Sequence, residues 1–186
     1  HGGTIAMDSK LFDSSINEEE NSVTLKCILP DGEDGFPGNV DVSIKYRLTD
    51  EDALELNYVC TSDADTPLNL TNHSYFNLCG HDSGKDILDH KLQIFTKEFT
   101  PVKANGMVDG TVKALEGAMD FSAMKPIGQD INSGCEQIEI TKGYDHNFVL
   151  PQFGKALILA AAVEEDTTGR FMQVYTNSPG ILFYSG

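Results

Sequence analysis

The side chains best suited to proton transfer lie in Leu68-Asn-Leu-Thr-Asn-His-Ser-Tyr-Phe-Asn-Leu78. A period of two sets Thr71, His73 and Tyr75 on one strand face, with Leu68, Leu70, Ser74 and Phe76 on the other. Histidine titrates nearest neutrality, so His73 on such a support is a candidate proton donor; the competing reading is a histidine satisfied by a neighbouring hydroxyl. In Gly143-Tyr-Asp-His-Asn-Phe-Val-Leu150 the same period puts Asp145 and Asn147 on one face, and His146, Phe148 and Leu150 on the other. Asp145 and His146 therefore cannot form a charge pair. The Asp145 carboxylate can take two adjacent hydroxyls, or it can cap a turn begun by Gly143. His1-Gly-Gly3 places another imidazole beside residues without Cβ, where backbone can approach a ligand closely or simply fray as a terminus.

These residues need stiff elements to hold them. Val40, Val42, Ile44, Tyr46 and Leu48 alternate with Asp41, Ser43, Lys45 and Arg47, the pattern of a half-buried strand. Val23 to Leu29 repeats it upstream and Leu54 to Cys60 downstream, giving an antiparallel meander. Pro30-Asp-Gly-Glu-Asp-Gly-Phe-Pro-Gly38 must be a loop, because its glycines accept positive φ and its prolines cannot donate to a ladder. Further strands are predicted at Leu68 to Phe76, Lys91 to Thr96, Gln137 to Thr141, Asp145 to Leu150, Ala156 to Val163, Arg170 to Thr176 and Ile181 to Tyr184, with a short helix within Ser122 to Ile131. So many strands with so little helical periodicity define an all-β chain of packed antiparallel sheets, read as a single domain over residues 1–186. Glu18 to Glu20 and Glu164 to Asp166 fall where solvated hairpin turns are expected.

The charge balance narrows the partners. With 13 basic and 29 acidic residues the net charge is -16, which repels nucleic acid and anionic membrane surfaces and favours a neutral small molecule. Cys27, Cys60, Cys79 and Cys135 are widely spaced, without metal-ligand spacing to histidine, and read as reduced, mostly buried thiols of a cytoplasmic protein. No metal and no cofactor are expected. The sequence has no G-x-S-x-G elbow, P-loop, H-E-x-x-H or dinucleotide fingerprint, which removes support for serine hydrolysis, phosphoryl transfer and zinc proteolysis.

Taken in order, His1-Gly-Gly3, Pro30 to Gly38, Asn69-Leu-Thr-Asn-His-Ser-Tyr-Phe-Asn-Leu78, Gly143-Tyr-Asp-His-Asn-Phe148 and Tyr175-Thr-Asn-Ser-Pro-Gly180 resemble the aldose 1-epimerase (galactose mutarotase) family. The resemblance implies a large two-sheet antiparallel β-sandwich. It also implies interconversion of the α and β anomers of free hexoses such as galactose or glucose by acid/base ring opening. In that reading His73 is the acid, and His1, Ser74, Tyr75, Asp145 and Ser178 contact the sugar. Ser178 stands where the family often has Gln, and Ala6-Met-Asp-Ser9 replaces its Gly-Phe-Asp-Lys. The family's base, a Glu in C-terminal strands, and its sugar-binding Asn-Arg pair are both expected outside residues 1–186, so both ends read as cut. The expected state is a monomer or weak dimer.

The alternative reading is a non-catalytic carbohydrate-binding sandwich that lacks the base. A relative acting on hexose 6-phosphates would need cations for the phosphate, and only Arg47 and Arg170 supply guanidinium groups. A glycoside hydrolase would need paired carboxylates, and no such pair stands out.

Overall fold

Alternation in the first predicted meander translates directly into burial. In the computed structural model, which describes residues 3–151, 154 and 156–186, Val40, Val42 and Ile44 are all buried while Asp41 between them is exposed. They belong to β3 (Val40–Leu48), which pairs on one side with β2 (Ser22–Leu29) and on the other with β4 (Leu54–Ser62). A further edge strand, β1 (Asp13–Asn17), completes a four-stranded antiparallel sheet in the order β1-β2-β3-β4. Its strand residues are all exposed, so no apolar alternation marks it in the sequence.

The chain divides into two compact units, residues 1–74 and 75–186. In the first, Met7, Phe12, Cys27, Leu29, Tyr58, Cys60 and Leu70 pack around the three buried β3 residues. The Pro30 to Gly38 segment is a loop, as its composition requires, with a tight turn at Glu33–Gly35. Asp31 accepts the Gly38 N–H at 2.6 Å, and Asp34 Oδ1 accepts those of Thr4 and Ile5 at 2.5 and 2.9 Å. The loop therefore clasps the chain that follows Gly3.

The second unit is a sandwich of two four-stranded antiparallel sheets. One has β5 (Lys91–Ile94), β8 (Lys125–Pro126), β10 (Ile158–Glu165) and β11 (Arg170–Thr176), in the order β11-β10-β5-β8. The other has β6 (Glu98–Thr100), β7 (Lys113–Ala114), β9 (Asp145–Val149) and β12 (Gly180–Tyr184), in the order β12-β9-β6-β7. One core joins them: Leu92, Ile94 and Ala161 from the first sheet meet Phe99 and Phe148 from the second, with Phe121 and Tyr144 between. Phe148 and Phe121 are fully buried, and each such ring contributes about 1.5–3 kcal/mol relative to exposure. The all-β antiparallel expectation holds.

Several local expectations do not. Residues 68–76 form no strand; Leu70 packs on the meander core, and its neighbours from Thr71 to Phe76 are exposed. Residues 136–141 form a short helix, α1 (Glu136–Thr141), instead of a strand. Alternating Ile138 and Ile140 mimicked a strand, but Gln137 must turn to bond both the N–H and the carbonyl of Val102, at 2.8 and 3.1 Å. Lys142, at φ 59°, then ends the helix in the left-handed conformation. The short helix expected within Ser122 to Ile131 does form, as a 3-10 helix at Ile127–Asp130 preceded by β8.

Glu18 to Glu20 do occupy an exposed hairpin turn, but Glu165 of the second acidic cluster is only 4% exposed. Its carboxylate organises the turn that follows β10, accepting the N–H groups of Thr167 and Thr168 at 2.9 and 2.7 Å. The four cysteines are free and half-buried rather than buried.

Candidate functional site

His73 and Ser74 close the first unit. Both are exposed, and with no strand beneath them the two-faced arrangement of residues 68–76 does not exist. Ser74 is thus not on an apolar face. What shapes the segment is Asn72, whose side-chain carbonyl accepts the Ser74 N–H at 3.0 Å while its amide donates to the Tyr46 hydroxyl at 3.4 Å. This Asx-type turn ties the stretch to β3, and His73 beside it is exposed.

The second unit begins at Tyr75. Its ring, 69% exposed, meets that of Tyr184 at a centroid distance of 5.6 Å and an interplanar angle of 45°. Tyr184 lies directly across the β12–β9 ladder from Asp145. Cross-strand neighbours have Cβ atoms about 4.5–5.5 Å apart, so Tyr75, Tyr184 and Asp145 form one exposed group. Asn147 continues the Asp145 face and donates to Thr100 Oγ1 at 3.4 Å. The alternation read from the sequence is correct here: Asp145 is exposed while His146, Phe148 and Leu150 are buried.

His146 nevertheless touches Asp145. Its Nδ1 accepts the Asp145 backbone N–H at 3.2 Å, so the neutral ring carries its proton on Nε2, which has no hydrogen-bond partner among the described residues. Burial holds its pKa below the usual histidine value, with the Asp145 carboxylate pulling weakly the other way.

The backbone after Tyr75 is fastened by side chains. Asn77 donates to the Lys85 carbonyl at 2.8 Å and accepts the Cys79 N–H at 2.9 Å. Leu78 donates its N–H to Nε2 of buried His90 at 2.9 Å, and its carbonyl accepts from Arg170 at 2.7 Å and from the Thr168 hydroxyl at 3.1 Å. Arg170 is thereby committed to a backbone carbonyl, and Arg47 pairs with Glu55 at 3.2 Å.

Ser178 sits elsewhere. Gly180 pairs with Val149, four residues along β9 from Asp145, so Ser178 lies beyond the opposite end of that ladder, roughly 13 Å along the strand. Its N–H donates to the Thr176 hydroxyl at 3.1 Å. His1 falls outside the described residues. Among those described, no group of histidine, cysteine and carboxylate side chains could hold a metal ion, and no helix is long and apolar enough to cross a membrane. Sequence reading missed Tyr184, although its alternation with Leu182 was visible; only the strand pairing reveals that it faces Asp145.

The fold and these groups define an antiparallel β protein with exposed histidine, tyrosine and aspartate side chains. The sequence pattern of the aldose 1-epimerase family matches residues 1–186 throughout, and the chain belongs to that family. It is 36% identical over 187 residues to the aldose 1-epimerase of Escherichia coli (strain K12), covering 100% of this chain and 53% of the relative. It is 37% identical over 186 residues to the galactose mutarotase of Rattus norvegicus, covering 100% and 52%. The crystal structure of galactose 1-epimerase from Lactobacillus acidophilus matches 98% of this chain and 52% of its own, with a TM-score of 0.85 and 32% identity. The chain spans about half the length of these relatives.

Proposed function

We propose that residues 1–186 form one mutarotase-like domain, part of an enzyme that interconverts the α and β anomers of free hexoses, galactose or glucose, in the cytoplasm, as a monomer or weak dimer. The observation that carries this reading is the family match over the whole chain, with the Asn69 to Leu78 stretch intact around His73.

Ring opening requires a proton to reach the ring oxygen as another leaves the anomeric hydroxyl, so the bond from the anomeric carbon to the ring oxygen breaks while a carbonyl forms. Rotation and reclosure on the other carbonyl face give the opposite anomer. His73 is the acid. Ser74, Tyr75, Asp145 and His1 contact sugar hydroxyls, Tyr75 offering its ring and Asp145 a paired acceptor, while Ser178, past the far end of the β12–β9 ladder from Asp145, drops out of this contact set. The resemblance implies a glutamate as the base, and no residue from 1 to 186 is assigned that role. Only protons move, so the reaction calls on no cofactor. The commitments of Arg170 and Arg47 favour a neutral sugar over a phosphorylated one.

Polarimetry of freshly dissolved α-D-galactose tests the reading, with His73→Asn and a buffer blank beside the wild type. General acid catalysis contributes ~10²–10⁴-fold, so the variant should lose at least about 100-fold of the acceleration. A wild-type rate equal to the blank overturns the catalytic reading.

A further inference from the structure

The peptide of Leu78 is gripped by side chains rather than by a strand partner. His90, just before β5, accepts its N–H, while Thr168, from the turn between β10 and β11, and Arg170, the first residue of β11, donate to its carbonyl. This turn is itself rigid. Glu165 bonds the Thr167 and Thr168 amides, its carbonyl accepts the Gly169 N–H at 3.0 Å, and Thr168 Oγ1 accepts the Arg170 N–H at 3.3 Å. His90 is 1% exposed, so the acceptor that meets Leu78 is fixed by packing.

We propose that His90, Thr168 and Arg170 are positioning residues for sugar binding. By fixing the Leu78 peptide they hold Tyr75, three residues earlier, against Tyr184 beside Asp145. The proposal rests on the mutarotase reading of the site. Three residues of chain reach at most about 10 Å, so an anchored Leu78 confines Tyr75 to a small region in front of β12. Without the anchor, Tyr75 belongs to a stretch whose neighbours are exposed and outside any ladder, and binding a hexose would require ordering it each time. Arg170 is the strongest element, because a charged donor to a carbonyl makes a stronger hydrogen bond than a neutral one.

The test uses Arg170→Ala, Arg170→Lys and Thr168→Val, with three readouts: hydrogen–deuterium exchange of the Leu78 amide, galactose affinity by calorimetry, and the KM and kcat of mutarotation. Arg170 is exposed, so its variants should keep the wild-type fold, checked by circular dichroism. Losing a charge-assisted hydrogen bond is worth about tenfold or more, so Arg170→Ala should speed Leu78 exchange and weaken galactose binding by about tenfold. KM should rise in parallel while kcat changes by no more than about twofold, and Arg170→Lys should recover part of the affinity.

Faster exchange with unchanged galactose affinity would overturn the proposal and leave the clamp a purely structural feature. Unchanged exchange would overturn the clamp itself. If the wild type neither turns over nor binds galactose, both the functional reading and this proposal fall. That outcome is distinct from failure here alone, in which wild type and Arg170→Ala bind equally well.

Discussion

The imidazole of His146 accepts the backbone N–H of Asp145, the residue immediately before it, at 3.2 Å. A fully buried ring thus supports an exposed carboxylate on the opposite face of the same strand. His146→Phe keeps an aromatic ring beside Phe99, whose centroid lies 6.1 Å away, but strands the Asp145 N–H. An unsatisfied buried donor costs about 1–3 kcal/mol, and urea unfolding should show a loss of that size. A variant as stable as the wild type would mean that this bond contributes nothing.

Asp145 itself should matter to affinity rather than to folding. Its carboxylate is exposed, and hydrogen bonds to a charged acceptor are worth about 1.5–3 kcal/mol, so Asp145→Asn should weaken galactose binding by roughly 10–150-fold. Calorimetric titration measures this, and thermal melting should be nearly unchanged. Unaltered galactose affinity would remove Asp145 from the site.

Acid should unfold the protein in two stages. Burial holds His90 and His146 below their ordinary 6.5, against the opposing pull of Glu165, Asp86 and Asp89 on the first and Asp145 on the second. The unfolded imidazoles take up protons near 6.5 and the native ones only at lower pH, so this stability is complete above 6.5 and is lost as pH falls. Glu165 behaves as a depressed carboxylate: burial alone would raise it, but the Thr167 and Thr168 amides and hydroxyls bring it down from 4.5 to about 2. Its contribution is present above 4.5 and disappears towards 2. Melting temperature against pH should show both declines, and Glu165→Gln should reduce the second, which Glu20, Asp63, Asp109 and Asp120 share because hydrogen bonds lower their carboxyls too. A flat profile between about pH 7 and about pH 5 would contradict the first.

Gly3 tests how tightly the Pro30 to Gly38 loop holds the chain that follows this glycine. It has φ of 79°, and a Cβ there would stand 1.9 Å from the Asp34 Cβ, whose carboxylate bonds Thr4 and Ile5. Gly32 has nearly the same φ, 75°, with open space around it. Both alanine variants incur backbone strain of about 1–3 kcal/mol, but only Gly3→Ala also displaces Asp34. Gly3→Ala should therefore melt lower than Gly32→Ala; equal melting points would mean that the clasp does not depend on this approach.

How far residue order reveals such a structure depends on what enforces each element. Strands β3 and β11 were legible to the residue, and β9 nearly so; β3 and β9 each bury one face and the period of two records it, while β11 is at most half-buried. β1, β6, β7 and β8 were missed, being exposed or only two or three residues long. α1 was misread because six residues cannot separate a period of two from a single helical turn, and its cause, Gln137 bonding Val102, spans 35 positions. At the site, Asp145 was placed by local pattern. Tyr184, His90 and Arg170 were not, since their roles arise from strand register and from bonds to a distant backbone carbonyl or amide.

Residues 68–76 lie outside every strand, and that gives them a freedom the sheets lack. Within a ladder, adding or removing one residue turns every later side chain to the wrong face, so a change in ligand preference written there would disrupt the core. A segment held by the Asn72 turn at one end and the Leu78 peptide at the other carries no such register. Substitutions in the interval around His73 and Tyr75 therefore leave the scaffold's patterning untouched, whatever they do to the chemistry of those two side chains.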